Sequence, residues 1–261
     1  VQALSGQIAR ADWDRRESRV EYSTNRVLDL FAAGGIKATF FTLGWVGERH
    51  PGLVRRIVSE GHELASHGYA HFRVDKQSPD EFRDDIRRTK RILEDCGGVG
   101  IRGFRAATFS INRQTFWAYA ILAEEGYAYS SSISPIVHDL YGIPDAPRQP
   151  FFPVGNDGVP EYPIATVRVA ERNWPCGGGG YFRLLPYGFS KWAIARINHR
   201  DHLPAMFYFH PWEVDPDQPM EPGLPLKSRL RHYTNLRTMA ARLARLVGDF
   251  AWDRVDRAFG A

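Results

Sequence analysis

The chain has 261 residues, of which 43% are hydrophobic and 25% are charged. This length and composition suit one large α/β domain with a core of its own, and they exclude disordered and fibrous proteins. The net charge of +4 is spread along the chain, without a basic block interleaved with aromatic residues, so nucleic acid binding is not favoured. A mildly basic protein of this kind could bind an anionic glycan or a membrane surface. No apolar run reaches the roughly 18 residues of a membrane span, so no transmembrane segment is predicted.

The two cysteines, Cys96 and Cys176, lie far apart and form no Cys-x-x-Cys motif. A disulfide-stapled fold is therefore not expected, and buried free thiols are the prediction. The sequence shows no charged-then-apolar leader, which with free thiols favours a cytoplasmic location or a peripheral one at the inner membrane. Because the first residue is Val1 and not Met, we expect a processed, trimmed or partial chain. Nothing in the sequence indicates an oligomeric state.

Apolar periodicity and turn signals predict alternating helices and strands over the first half of the chain. The predicted elements are a helix from about Val20 to Phe31, a strand over 36–43, a helix from Pro51 to about 60, a strand over 63–66, a helix from Pro79 to about Asp95, a strand over 101–105, a helix over 114–125 and an extended segment over 127–133. The Ser78-Pro79-Asp80-Glu81 sequence is a strong helix start, since it combines a capping box with proline in the first turn, and Gly97-Gly98 is expected to stop this helix.

The second half is more irregular. Residues 134–160 are rich in proline and glycine and predict a long surface excursion. The Gly177–Gly180 run lacks the Lys-Ser/Thr of a phosphate loop, so it is interpreted as a mobile flap. The remaining predicted elements are a strand over 161–169, a helix over 189–198, a buried strand over 205–209 and a final helix over 235–246. The alternation predicts a parallel sheet covered by helices, and no linker or repeat divides residues 1–261, so one domain is expected.

His67 and His71 follow the predicted strand over 63–66 and are separated by a glycine turn. Two imidazoles four residues apart can bind one zinc-type metal if the backbone coils tightly between them. A catalytic site would also need a third protein ligand and an open position. The alternative is two histidines in a polar surface loop.

Two further candidates stand at the end of a predicted strand, Arg105 and His210. In a barrel of alternating strands and helices, chemistry is located at these ends, so we expect both beside the histidine pair. His210 suits a general acid, or alternatively is a core histidine bonded to a backbone carbonyl. Arg105 could orient a carboxylate or make a surface ion pair. The backbone N–H groups of Ala107 or Thr108 could form an oxyanion hole.

Aromatic residues near these motifs could stack on sugar rings. The candidates are Tyr69, Tyr181 and Trp212, with Phe182 and Trp192 nearby in sequence. Most aromatic residues are more simply part of the core.

Five stretches of the chain, in this order, resemble the NodB-type polysaccharide deacetylases (carbohydrate esterase family four), and most of all the subgroup linked to exosortase and exopolysaccharide loci. They are KATFFTLGWV at 37–46, GHELASHGYAH at 61–71, GFRAATFSI at 103–111, GGGYFRLLP at 178–186 and FYFHPWE at 207–213. The resemblance implies a distorted (β/α) barrel of about seven strands and a metal-dependent hydrolase of N-acetylated glycans. It also implies a divalent metal, most simply zinc, with cobalt, nickel or manganese as alternatives.

The same resemblance assigns roles to four residues. It implies His67 and His71 as metal ligands, Arg105 as the group that orients the base, and His210 as the general acid. The family's first motif, a strand ending in an aspartate pair that supplies the base and the third ligand, is expected just before Val1 and is absent from the sequence. Two other departures are an alanine at position 107, where proline is usual, and the absence of the usual aspartate near Ser130. We therefore expect either a barrel that lacks its first strand in this chain or a degenerate homologue, and the non-Met start favours the first.

The sequence leads to three hypotheses. The first is a zinc-type deacetylase that removes acetyl groups from N-acetylhexosamine units of an exopolysaccharide or cell-wall glycan, inactive in this form if the aspartates are missing. The second is a non-catalytic glycan-binding homologue that kept the cleft. The third, weaker hypothesis is hydrolysis of another amide in the same cleft.

Overall fold

The structure is a computed structural model that describes residues 8–155 and 158–261. A parallel sheet of four strands in the order β1-β2-β3-β4 forms its centre, and a separate antiparallel hairpin contains β5 and β6. The strands are β1 (Thr39–Thr42), β2 (Glu63–Ser66), β3 (Gly103–Phe104), β4 (Tyr129–Ser130), β5 (Thr166–Val169) and β6 (Arg172–Pro175). The α/β class expected from the sequence is confirmed.

Ten α-helices in the described residues surround these strands. They are α1 (Val20–Ala33), α2 (Gly44–Arg49), α3 (Pro51–Ser59), α4 (Pro79–Gly97), α5 (Trp117–Glu124), α6 (Gly179–Leu184), α7 (Tyr187–Arg200), α8 (Leu226–Tyr233), α9 (Leu236–Asp249) and α10 (Val255–Phe259). None of the helices in the described part of the chain has the length and apolarity that crossing a membrane requires.

Helix α4 begins where the sequence predicts. The Ser78 hydroxyl accepts a hydrogen bond from the Glu81 amide at 3.3 Å, and the Glu81 carboxylate accepts one from the Ser78 amide at 2.8 Å. The helix ends at Gly98, whose φ of 65° is left-handed and suits glycine. Its inner face buries Phe82 and Ile86 in the main core between the sheet and α5.

The sheet is extended beyond β4 by single bridges and not by full strands. Glu161 bridges to Ser130 in parallel, and Tyr208 bridges in parallel to Gly178. The strand predicted over 161–169 is therefore broken, and only its second part, β5, forms a ladder. The segment over 205–209 is extended as predicted but is only partly buried, since most of its residues are of intermediate exposure.

The reason for this partial burial is that two strand edges face a cavity. β1 is an edge strand of the sheet, and its backbone bonds to β2 use alternate residues. The backbone N–H and C=O groups of Thr39 and Phe41 therefore point away from β2. The backbone groups of Phe207 and Phe209 have no hydrogen-bond partner within residues 8–155 and 158–261. Between these edges lies a cavity of about 1660 Å³. Its other walls are apolar side chains of α1 and α9, namely Val27, Phe31, Leu243 and Leu246.

Two sequence interpretations are wrong. The 134–160 segment is not simply a surface excursion, because Ile136, Ile143 and Val159 are buried. The glycine run is not a flap, because Gly177 and Gly178 are buried and Gly179 starts α6. A Cβ at Gly177 would lie 2.4 Å from the Met206 carbonyl oxygen, so glycine permits a close backbone approach there.

Candidate active site

The turn after β2 brings the two predicted ligand histidines together. Gly68 and His71 both have positive φ, of 72° and 56°, which coils the backbone enough for the two rings to lie with centroids 5.0 Å apart. Asp85 of α4 holds this turn, because its carboxylate accepts a hydrogen bond from the Tyr69 backbone N–H at 3.1 Å. Asp85 was not among the predicted site residues. Burial raises the pKa of the Asp85 carboxyl to about 6, against the opposing effect of that hydrogen bond.

The His67 ring is oriented by a backbone contact. Its Nδ1 lies 2.7 Å from the Arg105 carbonyl oxygen, so Nδ1–H donates and Nε2 is left as the acceptor nitrogen. This is the outer contact that metal-binding histidines commonly make. Burial lowers the pKa of His71 to about 4 and holds the pKa of His67 well below its ordinary value. Both rings are therefore neutral near pH 7, the form that binds metals.

The donor set fits part of a metal site. Two neutral imidazoles suit a zinc-type cation, for which nitrogen ligands are typical. Across residues 8–155 and 158–261, however, no group of three or more His, Cys, Asp or Glu side chains is assembled that could hold a metal. These residues can supply two ligands and leave the third to a group from elsewhere.

Arg105 is buried beside the histidine pair. Its guanidinium donates to the Ser131 carbonyl at 2.9 Å and to the Ser131 hydroxyl at 2.8 Å, and lies 4.0 Å from the Phe41 ring centroid. Burial lowers its pKa to about 10. The described residues place no carboxylate within ion-pair distance of this cation. Because an uncompensated buried charge is costly, Arg105 is suited to a carboxylate that enters the cavity.

The segment after Arg105 is conformationally unusual. Thr108 and Phe109 have φ of 55° and 48°, left-handed values that are strained for residues other than glycine. Thr108 lines the cavity, whereas the Ala107 side chain is buried and is not part of the lining. The oxyanion-hole role of the Ala107 and Thr108 amides stays a prediction.

His210 lines the same cavity as His67, His71 and Arg105. It is not the core histidine of the alternative interpretation, because about half of its side chain is exposed. Its Nδ1 lies 3.1 Å from the Glu213 carboxylate, and its ring stacks on Trp212 with centroids 5.7 Å apart. Next to burial, the charge of His210 is the largest cause that lowers the pKa of His71, and it contributes less to lowering the pKa of His67.

Two of the three proposed stacking residues line the cavity, Tyr181 and Trp212. The structure does not bring Tyr69 to it: the Arg88 guanidinium covers the Tyr69 ring at 3.6 Å, and the Tyr69 hydroxyl donates to Glu48 at 2.6 Å. Glu213 is a further residue of the site that was not among the predicted candidates. Its spacing of three residues from His210 is a capping-box spacing and could have drawn attention to it.

The family comparisons divide the chain into two matched segments. Residues 14–129 match the family model "Polysaccharide deacetylase", and residues 131–260 match "Domain of unknown function (DUF3473)". A peptidoglycan-N-acetylglucosamine deacetylase from Bacillus cereus is 36% identical over 96 residues, which cover 36% of this chain and 35% of that protein. A chitooligosaccharide deacetylase from Bradyrhizobium sp. is 29% identical over 107 residues, covering 41% of this chain and 47% of that protein. The chain thus matches less than half the length of these relatives.

Solved structures extend the likeness to the whole fold. A candidate polysaccharide deacetylase from Mycobacterium smegmatis has a TM-score of 0.63 at 20% identity, covering 98% of this chain and 85% of that one. A CE4-family pseudoenzyme from Bacillus anthracis has a TM-score of 0.53 at 14% identity, covering 92% and 61%. At these identities the likeness concerns the fold alone. Residues 14–129 are therefore similar in sequence to polysaccharide deacetylases, and the chain has the α/β fold of the matching deacetylase structures, a distorted (β/α)7 barrel.

Proposed function

We propose that this protein is a metal-dependent hydrolase that removes N-acetyl groups from N-acetylhexosamine units of an exopolysaccharide or cell-wall glycan. The observation that carries the proposal is the arrangement of His67, His71, Arg105 and His210 around one cavity in a chain whose residues 14–129 match the polysaccharide deacetylase family model. The named activities of the relatives, on peptidoglycan and on chitooligosaccharides, support this substrate class.

Each residue has a defined role in this proposal. His67 and His71 would hold the metal, which in this family of enzymes is most simply zinc, with cobalt, nickel or manganese as alternatives. When bound, such a cation supplies Lewis-acid activation of the amide carbonyl. His210 delivers the proton that the departing amine needs, and Arg105 orients the carboxylate that acts as the base.

Backbone N–H groups and aromatic rings around these residues would position the substrate. Backbone N–H groups of Ala107 and Thr108 would stabilise the negative charge that develops on the carbonyl oxygen. The rings of Tyr181 and Trp212, which line the cavity, offer faces for sugar stacking.

We also propose that the complete domain has one more parallel strand, between β1 and the 205–209 segment. This proposal is supported by the two edges, which are unpaired within the described residues, and by the cavity between them. Beside this site, Arg10 donates to the carbonyls of Ala70 and His71 at 2.8 and 3.1 Å. Carboxylates at the end of such a strand would reach both the histidine pair and Arg105.

The finer assignments rest on the sequence. The resemblance to deacetylases of exosortase-linked loci favours an exopolysaccharide substrate, and the free thiols of Cys96 and Cys176 favour a cytoplasmic or peripheral inner-membrane location. We propose both on that basis, together with one functional domain over residues 1–261.

A non-catalytic glycan-binding protein is the second candidate. It is favoured by the absence of a third metal-ligand side chain within the described residues. In that case Tyr181 and Trp212 would bind sugar rings in a cavity that performs no hydrolysis.

Acetate release and glycan binding distinguish the two candidates. Acetylated chitooligosaccharides and peptidoglycan fragments are incubated with each of the four metals and the protein carrying the proposed aspartate-ended strand, while calorimetry measures glycan binding. A deacetylase releases acetate, and His210→Ala lowers turnover by about 10²–10⁴-fold with the metal still bound. His67→Ala and His71→Ala should abolish metal binding, whereas His199→Ala, exposed on α7, should change nothing. Glycan binding without acetate release would support the second candidate, and full turnover in His210→Ala would exclude His210 as the acid.

A further inference from the structure

Glu213 is an almost fully buried carboxylate that the proposed mechanism does not use. Only 1% of it is exposed, although it lies three residues after half-exposed His210. Its Oε1 accepts the His210 backbone N–H at 2.9 Å and lies 3.1 Å from His210 Nδ1. Burial opposes its ionisation, but the contacts with His210 and Arg183 outweigh this and hold the pKa of Glu213 below its ordinary value.

The second carboxylate oxygen is held by Arg183, whose Nε donates to Glu213 Oε2 at 2.8 Å. The other guanidinium N–H groups of Arg183 donate to the carbonyl oxygens of Arg231, His232 and Thr234. Arg183 is itself 1% exposed. Its guanidinium is fixed by these bonds, so it holds the carboxylate in one position.

The glycine run makes room for this pair. A Cβ built on Gly179 would lie 2.5 Å from each Glu213 carboxylate oxygen. A larger residue at the start of α6 would therefore displace the carboxylate from His210. This gives the glycine-rich motif a role in the site that neither a flap nor a phosphate loop describes.

A carboxylate that is hydrogen-bonded to Nδ1 determines the tautomer and the orientation of an imidazole. It places the proton on Nδ1, directs Nε2 to the opposite side of the ring, and stabilises the imidazolium that a general acid must become. We propose that Glu213, locked by Arg183 and accommodated by Gly179, is the positioning residue that sets the tautomer and orientation of His210. An effect of Glu213 on catalysis rests on the proposed function, in which His210 is the general acid. The effect of Glu213 on the tautomer and orientation of His210 does not depend on that function.

The tautomer can be measured on the protein directly. Long-range ¹H–¹⁵N spectra of histidine-labelled protein should show His210 with its proton on Nδ1 when neutral. Glu213→Gln, which nearly preserves shape, should shift His210 to a mixed or Nε2–H form, and Glu213→Asp should restore the original signature in part. Glu171→Gln, on the exposed β5–β6 turn, is the control for loss of one negative charge and should leave the signature unchanged. An unaltered His210 signature in folded Glu213→Gln would overturn the proposal.

Gly179→Ala provides a second route to the same result if Glu213→Gln folds poorly. This variant keeps the Glu213 carboxylate in the protein but displaces it from His210, so the same tautomer shift is expected. An unshifted tautomer in this variant would again overturn the proposal.

Turnover then separates this proposal from the proposed function. If His210 is the acid, Glu213→Gln lowers kcat by up to about 10²–10⁴-fold with KM nearly unchanged, and has no further effect in a His210→Ala background. A tautomer shift in a protein that releases no acetate would support the positioning and count against the deacetylase.

Discussion

At the scale of single residues, burial decides which protonation state each polar side chain takes. His62 precedes β2 and is almost fully buried between the rings of Phe31 and Phe40, with centroid distances of 6.0 and 5.1 Å. Its Nδ1 accepts the Ala38 amide at 3.1 Å, so the ring is neutral. Burial, with a smaller effect of Lys37, lowers the pKa of His62 to about 4.

This shift predicts acid sensitivity. Because the unfolded chain binds a proton near pH 6.5 and the folded chain only near 4, stability should fall as the pH falls through that window. His62→Asn keeps an acceptor for Ala38 but does not titrate. The free energy of unfolding of the wild type should therefore drop between pH 7 and pH 4 by up to about 3 kcal/mol more than that of the variant. Urea denaturation at both pH values measures this, with His199→Ala as the control; equal losses in wild type and His62→Asn would contradict it.

At the scale of elements, local sequence signals specify helix boundaries well. Helix α4 begins at the capping box of Ser78 and Glu81 and ends at left-handed Gly98, as the sequence predicts. Short-range hydrogen bonds determine these ends, so no distant contact is needed to predict them. The 205–209 segment differs from α4 in this respect. Its hydrogen bonds as a strand depend on which other strands lie beside it in the fold, and local sequence does not specify these.

Loss of the Ser78 cap should destabilise the protein modestly. Ser78→Ala removes the acceptor for the Glu81 amide and should lower the free energy of unfolding by about 1 kcal/mol. Ser78→Thr keeps a capping hydroxyl and is the matched control, with most of the stability retained. Chemical denaturation measures both, and identical values for Ala and wild type would show that the cap contributes nothing.

At the scale of the whole molecule, the dominant feature is the cavity between β1 and the 205–209 segment. Aromatic side chains of both edges, Phe40, Phe41, Phe207 and Phe209, line it together with the apolar faces of α1 and α9. Arg105 lies at the same cavity without a carboxylate partner in the described part of the chain. Within residues 8–155 and 158–261, the apolar walls, the unpaired edges and this buried cation support the proposed site for an apolar strand that ends in carboxylates.

Supplying that strand should therefore change two properties. We expect an amino-terminal extension, an apolar strand ending in two aspartates, to raise the free energy of unfolding, since each large apolar side chain that becomes buried contributes about 1.5–3 kcal/mol. It should also tighten zinc binding, because carboxylate joins the two imidazoles. The same extension with asparagines in place of the aspartates should stabilise the fold without tightening zinc binding. Denaturation and zinc titration test this, and an extension that leaves stability unchanged would show that the cavity is not a strand site.

The sequence by itself determined the α/β class, the ends of α4 and the ligand, arginine and acid candidates. These depend on short-range periodicity, caps and motifs, which are written in neighbouring residues. It did not determine that Gly177–Gly179 are packed against the 205–213 segment, that Tyr69 turns away from the cavity, or that Glu213 and Arg183 hold His210. Those depend on which distant side chains occupy the same space: the Gly179 and Glu213 pair lies 34 positions apart in sequence, and only the closure of the fold brings them into contact.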